Sequence, residues 1–273
     1  MLVSRVDNTV KYVYTLQDGE VIEAATMDYK YGSGVCISTQ AGCKMGCKFC
    51  ASQNPGFVRN LTVSEMLSQI YSIERTIGGK ASNITLMGIG EPLDNFDNTV
   101  KFAQIITDPK GRDFAGRKIS ISTCGLPERI DDLAKLKLPL KLSISLHAAF
   151  DSLREDIMPI SRRFSLERVL ESAKNYTKET GKRITFEYAL INSINDSETD
   201  AKALLIKLKD IHCHLNLIPI NKVEGKSFEP SSAEAAEKFK EIIQSGGISV
   251  TVRRTLGTDV NAACGQLRKA VKF

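Results

Sequence analysis

No stretch of the 273-residue chain approaches the roughly 18–20 uninterrupted apolar residues that a membrane span needs. The opening residues, Met1 to Val10, carry charged and polar side chains where a secretory leader would carry an apolar core. A cytoplasmic protein with no membrane association is the expectation. The sequence also lacks internal repeats, low-complexity tracts and Pro/Ser-rich linkers, so one large α/β domain suits it better than two independent ones. A marked charge excess is missing too. With 37 basic and 32 acidic side chains the net charge is +5, which permits an RNA partner without pointing to one. The small basic groupings at Lys44/Lys48, Arg162/Arg163, Lys222/Lys226 and Arg253/Arg254 read as solvated faces. What the chain does have is 42% apolar residues, ample for a sizeable core.

Residues 1–35 read as an N-terminal β extension. Lys11–Leu16 and Val21–Ala25 flank Gln17-Asp18-Gly19-Glu20, and Asp-Gly is a strong hairpin signal. Tyr29 to Gly34 leads into a short strand ending near Ser38. From residue 36 to 273 strands and helices alternate. Thr62 and Glu65 form a capping box, followed at helical spacing by Val63, Met66, Leu67, Ile70, Ile73 and Ile77. Buried strands are expected at Ile84–Met87, Ile119–Thr123, Leu140–Leu146, Ile184–Leu190, Leu215–Ile218 and Ile248–Val252. Helices are expected around Thr99–Ile106, Pro127–Leu136, Leu166–Glu179, Thr199–Leu208 and Ala233–Gln244. About six such units imply an α/β fold, a partial (β/α)6 barrel whose chemistry sits at the carboxyl ends of its strands.

Seven cysteines in a cytosolic chain point to metal or redox chemistry rather than structural disulfides. Cys43, Cys47 and Cys50 form a C-x3-C-x2-C loop, with Gly42 and Gly46 letting the backbone wrap closely. Three local thiolates suit a [4Fe–4S] cluster whose fourth iron stays open for a chelating ligand. A zinc site with a distant fourth ligand, such as Cys36 or His147, is the other reading. Phe49, just before the last cysteine, matches the C-x3-C-x-(aromatic)-C pattern of radical S-adenosylmethionine (SAM) enzymes. At predicted strand ends lie Gly88-Ile89-Gly90-Glu91-Pro92, Ser122, the run Ser145-Leu146-His147, and Asn221. Each is open to a bland reading, as an ordinary turn, a cap or a satisfied core polar group. Cys36 and Cys264, taken singly, read as small buried hydrophobes, as do Cys124 and Cys213.

The stretches Gly34 to Cys43, Gly56 to Leu61, Met87 to Leu93, Ser145 to Ala148, Asn216 to Pro219 and Ala262 to Leu267 together resemble the RlmN/Cfr family of radical SAM adenosine methyltransferases. They occur in order along essentially the whole chain. The resemblance implies an RNA substrate, 23S ribosomal RNA and in some members transfer RNA, and two SAM molecules per turnover. One SAM would methylate Cys264. The second, cleaved on the cluster, would give a radical that takes hydrogen from the stored methyl group. The carbon radical so formed would add to an adenine carbon. Glu23 would take the ring proton, and Cys36 would resolve the adduct by forming a disulfide with Cys264. Gly90, Glu91, Ser122, Ser145, Leu146, His147 and Asn221 would contact SAM by the same carry-over. A reducing partner such as flavodoxin or ferredoxin is implied as well. From sequence alone Glu23 would be an exposed strand residue.

RlmN-type relatives usually begin with a small helical domain, and the expectation is that it is absent here. Methylation at carbon 2 of the ring is expected ahead of carbon 8. Two alternatives stay open at this point: a radical SAM enzyme acting on a peptide or small molecule, and a zinc-bearing RNA-binding module without catalysis.

Overall fold

The computed structural model describes residues 1–30, 32–53 and 56–267. The chain opens with β1 (Leu2–Val3), β2 (Val10–Thr15), β3 (Val21–Tyr29), β4 (Gly32–Cys36) and β5 (Gln40–Ala41). Then come β6 (Arg59–Asn60), α1 (Val63–Ile77), β7 (Asn83–Leu86), α2 (Phe96–Ile106), β8 (Ile119–Thr123), α3 (Pro127–Lys135) and β9 (Lys141–Ser145). The rest is α4 (Asp151–Ile157), α5 (Leu166–Thr180), β10 (Ile184–Leu190), α6 (Glu198–Leu208), β11 (Cys213–Pro219), α7 (Ala233–Ser245) and β12 (Ser249–Val252).

Local chemistry sets the helix ends. Thr62 accepts from the Glu65 amide while Glu65 accepts from the Thr62 amide, closing the predicted capping box on α1. Gly78, in the left-handed region, stops the same helix. Ser197 and Asp200 form a second box on α6. Along α1, Met66, Ile70 and Ile73 are fully buried, as their spacing predicts.

One ten-stranded sheet carries the fold, in the order β1-β2-β3-β4-β7-β8-β9-β10-β11-β12. From β4 onward every neighbouring pair is parallel, so helices return the chain over the outer face. These seven strands with six helical crossovers are the expected partial barrel. The β2–β3 hairpin forms at the Asp-Gly turn, and β1 to β4 pair antiparallel, continuing the same sheet. Residue 35, where the N-terminal extension was expected to end, falls inside β4. Helix α4 has no counterpart in the hydrophobic pattern, because seven residues span barely two turns. Among the described residues no helix is long and apolar enough to cross a membrane.

Candidate active site

A cavity opens where the parallel strands end. Met87 and Gly88 line it beyond β7, Cys124 beyond β8, His147 beyond β9, and Ile220 and Asn221 beyond β11. Cys43, Cys47 and Cys50 occupy one wall, and Cys264 and Gly265 another. The cysteine loop takes its shape from glycine. Gly42 has φ +78°, and a Cβ there would lie 1.7 Å from the Gly56 carbonyl oxygen.

Burial, above all, pushes the Cys43 thiol up to about 12. The Cys47 thiol is raised too, first by burial and then by the negative charge of Cys50 and Cys43. Such a trio needs cationic partners to hold it as thiolates. Three soft sulfur donors from one loop, all lining the same cavity, fit a [4Fe–4S] cluster with one iron left free.

Most of the residues expected to contact SAM line the same cavity: Gly90, Glu91, Ser122, Ser145, His147 and Asn221. Gly90 has φ +107°, and a Cβ there would lie 2.8 Å from the Gln40 amide nitrogen, so only glycine fits. The Glu91 carboxylate accepts from the amides of Leu93 (3.0 Å) and Cys124 (2.7 Å), fixing the turn. Burial raises its pKa, against those hydrogen bonds. His147 Nδ1 accepts from the Ala189 amide at 2.9 Å, which assigns the ring proton to Nε2. Burial, with Arg154 nearby, lowers this ring's pKa to about 3, so it stays a neutral donor. Leu146 is different. Its side chain is fully buried, its amide donates to the Glu187 carbonyl and its carbonyl accepts from Arg154, and it does not line the cavity.

The Cys264 segment is tied down on several sides. Asn221 Nδ2 donates to the Cys264 carbonyl (3.0 Å), the Ala51 amide to the Gly265 carbonyl (2.8 Å), and Ser52 Oγ to the Leu267 carbonyl (2.7 Å). Gln266 accepts from the Ala263 amide and donates to the Lys222 carbonyl. Cys36 ends β4 and is buried close to Cys264. Burial first, then the charge of Cys264, push its thiol up to about 11. It does not line the cluster cavity.

Glu23 corrects the sequence reading, for it is buried rather than exposed. Its carboxylate pairs with Lys11 Nζ at 3.0 Å. By alternation it shares the inward face of β3 with Ala25 and Met27, which pack in one cluster with Cys36. Ala25 is the register partner of Cys36, so Glu23 stands one step nearer the cluster end of the barrel.

Three residues escaped the sequence reading. Arg253, grouped above with Arg254 as surface charge, lines the cavity instead. The charges of Cys264, then Glu187, Tyr29 and Cys36, raise its pKa against burial. Glu187 is buried mid-strand on β10 and accepts from Asn216 Nδ2 at 2.7 Å. Arg154 on α4 is 1% exposed and donates to the carbonyls of Cys124 (2.7 Å), Leu146 (3.1 Å) and Ser145 (3.2 Å). A single charged residue in a helical pattern carries no sign of which way it points.

The model of the radical SAM superfamily matches residues 37–206. Over 267 residues, 98% of this chain and 76% of the relative, the chain is 47% identical to a probable dual-specificity RNA methyltransferase RlmN from Alkaliphilus metalliredigens. A relative of the same description from Clostridium beijerinckii is 48% identical, with 98% and 76% covered. The chain thus spans about three quarters of the length of these relatives. Among solved structures, a radical SAM methyltransferase from Sphaerobacter thermophilus superposes with a TM-score of 0.94 at 40% identity, over 97% of this chain and 79% of that one. The hydrogenase maturase HydG, with a TM-score of 0.62 at 12% identity over 86% of this chain and 55% of that one, shares the fold alone. The cysteine loop, the glycine turn and the Cys264 segment thus sit in a barrel whose relatives are known, and the chain belongs to the radical SAM superfamily and, within it, to the RlmN family of methyltransferases.

Proposed function

We propose that the chain methylates a ring carbon of adenosine, carbon 2, in 23S ribosomal RNA and in transfer RNA, by way of a methyl group stored on Cys264. One observation carries this reading: Cys264 lines the cavity that holds the cluster cysteines, while Cys36, at the end of β4, is buried near it. When bound, the cluster and SAM supply both the methyl group and a hydrogen-abstracting carbon radical.

The chain's own residues do the rest. Gly90, Glu91, Ser122, Ser145, His147 and Asn221 line the space in which SAM is held. Asn221 also fixes the Cys264 backbone, which keeps the accepting sulfur at the cavity wall. Cys264 Sγ keeps the methyl carbon as a thioether, and through that carbon the substrate becomes attached to the protein. Glu23, held by Lys11 on the face shared with Cys36, takes the ring proton. Cys36 then attacks Cys264 Sγ, forming the disulfide and releasing the methylated base. An electron-poor ring carbon such as carbon 2 of adenine is not nucleophilic, which is why a radical route is needed. One-electron reduction of the cluster calls for a donor of the flavodoxin or ferredoxin kind.

The deciding experiment incubates reconstituted protein with SAM and no reductant, then weighs the tryptic peptide containing Cys264. A gain of one methyl group is expected. An unmodified peptide, with cluster and SAM both shown bound, would remove the methyltransferase assignment. Nucleoside mass spectrometry against 2-methyladenosine and 8-methyladenosine standards settles the carbon, and 8-methyladenosine alone would exclude carbon 2.

A further inference from the structure

The barrel holds a second cavity, at the end where its strands begin. Asn83 and Lys141, the first residues of β7 and β9, line it together with Ser82, Lys118 and Ser120. Its volume is ≈ 550 Å³, within the range of small-molecule sites. Cys36 lines this cavity and not the cluster cavity, whereas Cys264 lines the cluster cavity and not this one. Arg253 lines both. The two sulfurs that pair in the proposed function are therefore reached from different cavities, Cys264 also lining a small cleft of ≈ 20 Å³ with Met27, Tyr29 and Arg253.

Charge separates the two ends as well. Among the described residues, the strand-start cavity is lined by three cations, Lys118, Lys141 and Arg253, and by no carboxylate. The cluster cavity carries Glu91 and Glu187. Hydroxyl and amide groups of Ser82, Asn83, Thr85 and Ser120 supply further hydrogen-bonding positions. The surroundings suit a small, polar, negatively charged molecule.

We infer that the strand-start cavity admits a small anionic thiol that reduces the Cys36–Cys264 disulfide after each turnover, attacking at Cys36. The inference rests on the proposed function, which leaves the enzyme oxidised at this pair. In the first step a thiolate RS⁻ attacks Cys36 Sγ. The S–S bond breaks and its electron pair leaves on Cys264 Sγ, beside the Arg253 guanidinium. A second RS⁻ attacks the bound reductant's sulfur, releasing RSSR and the Cys36 thiolate, which takes a proton. Two thiols are oxidised to one disulfide while the protein disulfide gains two electrons. Access from this end leaves the cluster cavity to SAM and substrate, so regeneration does not wait on emptying the site. A reductant reaching Cys264 would instead have to enter by the cluster cavity, or by the cleft of ≈ 20 Å³ beside Tyr29 and Arg254, which is too small to admit it.

The test has two independent arms. In the first, protein oxidised by a single turnover is digested, and the linked peptides of Cys36 and Cys264 are sought by mass. Their absence defeats the proposed function and says nothing against access. The second arm needs no disulfide. Cys36 in the C264S protein is labelled with a sulfonate-bearing or a trimethylammonium-bearing methanethiosulfonate of similar size, and the modified peptide is mapped. The sulfonate reagent should react about tenfold faster, a preference that the paired substitutions K118E and K141E on the exposed rim should abolish or reverse. Ser120→Phe should slow labelling, and should slow reduction of the disulfide by 3-mercaptopropionate, while methyl transfer to Cys264 persists. Equal rates for the two reagents would overturn the inference. So would an S120F protein labelled at the wild-type rate, a mixed disulfide trapped on Cys264, or reduction by a protein dithiol alone. Should S120F fail to fold, the rim pair gives the same answer from outside the core.

Discussion

Three thiols at spacings of three and two residues share one wall because Gly42 turns the chain where any side chain would strike the Gly56 carbonyl. In the proposed function each thiol would hold a different iron, so none could substitute for another. C43A, C47A and C50A should each purify anaerobically without stoichiometric iron and sulfide, measured by colorimetric assay. Cys36 acts later in the proposed function. C36A should accumulate an RNA–protein crosslink through Cys264, seen as a slow-migrating band that nuclease removes; turnover without a crosslink would show that another group resolves the adduct. His147 makes a prediction about pH. Its folded value of about 3 lies below its ordinary 6.5, so the unfolded chain takes the proton first. Stability is then unaffected by this group above about pH 6.5, and is lost as the pH falls from there toward 3. The slope approaches about 1.4 kcal/mol per pH unit for one proton. In H147Q, whose amide oxygen can still accept from Ala189, urea titrations of the cluster-free protein should lose that component. The cysteine loop and the glycine turn were legible in the sequence because their function is written in local spacing. Glu23, Glu187 and Arg253 were not, because the first two lie on strands, and Arg253 just past the end of one, whose inward face is set by the curvature of the whole barrel.

Strands and helices with clear periodicity were legible to within a residue or two, among them β8, β10, α5 and α7. The seven-residue α4 was not, and with it went Arg154. That side chain gathers the carbonyls at the ends of β8 and β9, the strands that carry Ser122 and Ser145 to the cavity. A strand end has carbonyls without ladder partners, and a planar fork of donors satisfies three of them at once. Removing it leaves buried acceptors unpaired, at roughly 1–3 kcal/mol for each. R154M should lose about 3 kcal/mol or more in urea unfolding, and R154K should recover part of that by keeping a donor. Equal stability of all three proteins would mean that water or backbone movement satisfies these carbonyls.

Across the whole molecule, the two halves of the site come from opposite ends of the sequence. Ser4 Oγ and the Arg5 amide donate to Asp259 at 2.8 and 2.9 Å, and the Gly257 amide donates to Asp7 at 2.7 Å. The turn between β1 and β2 therefore braces the loop that leads to Cys264. D259A should leave the barrel folded yet speed hydrogen exchange at the Ala262 and Gln266 amides; unchanged exchange there would mean that Asn221 and Ser52 suffice. None of this bracing could be read from the sequence, since its partners lie some 250 positions apart. The clasp between Ser52 and Leu267 also spans 215 positions. A ribosome adding about 5–20 residues per second needs on the order of 10–40 s to cover that distance. Through that interval the cysteine loop exists without the segment that will cover it. Timing becomes part of the chemistry: cluster delivery has its widest path during synthesis, and so does the oxidant that would spoil the thiols first.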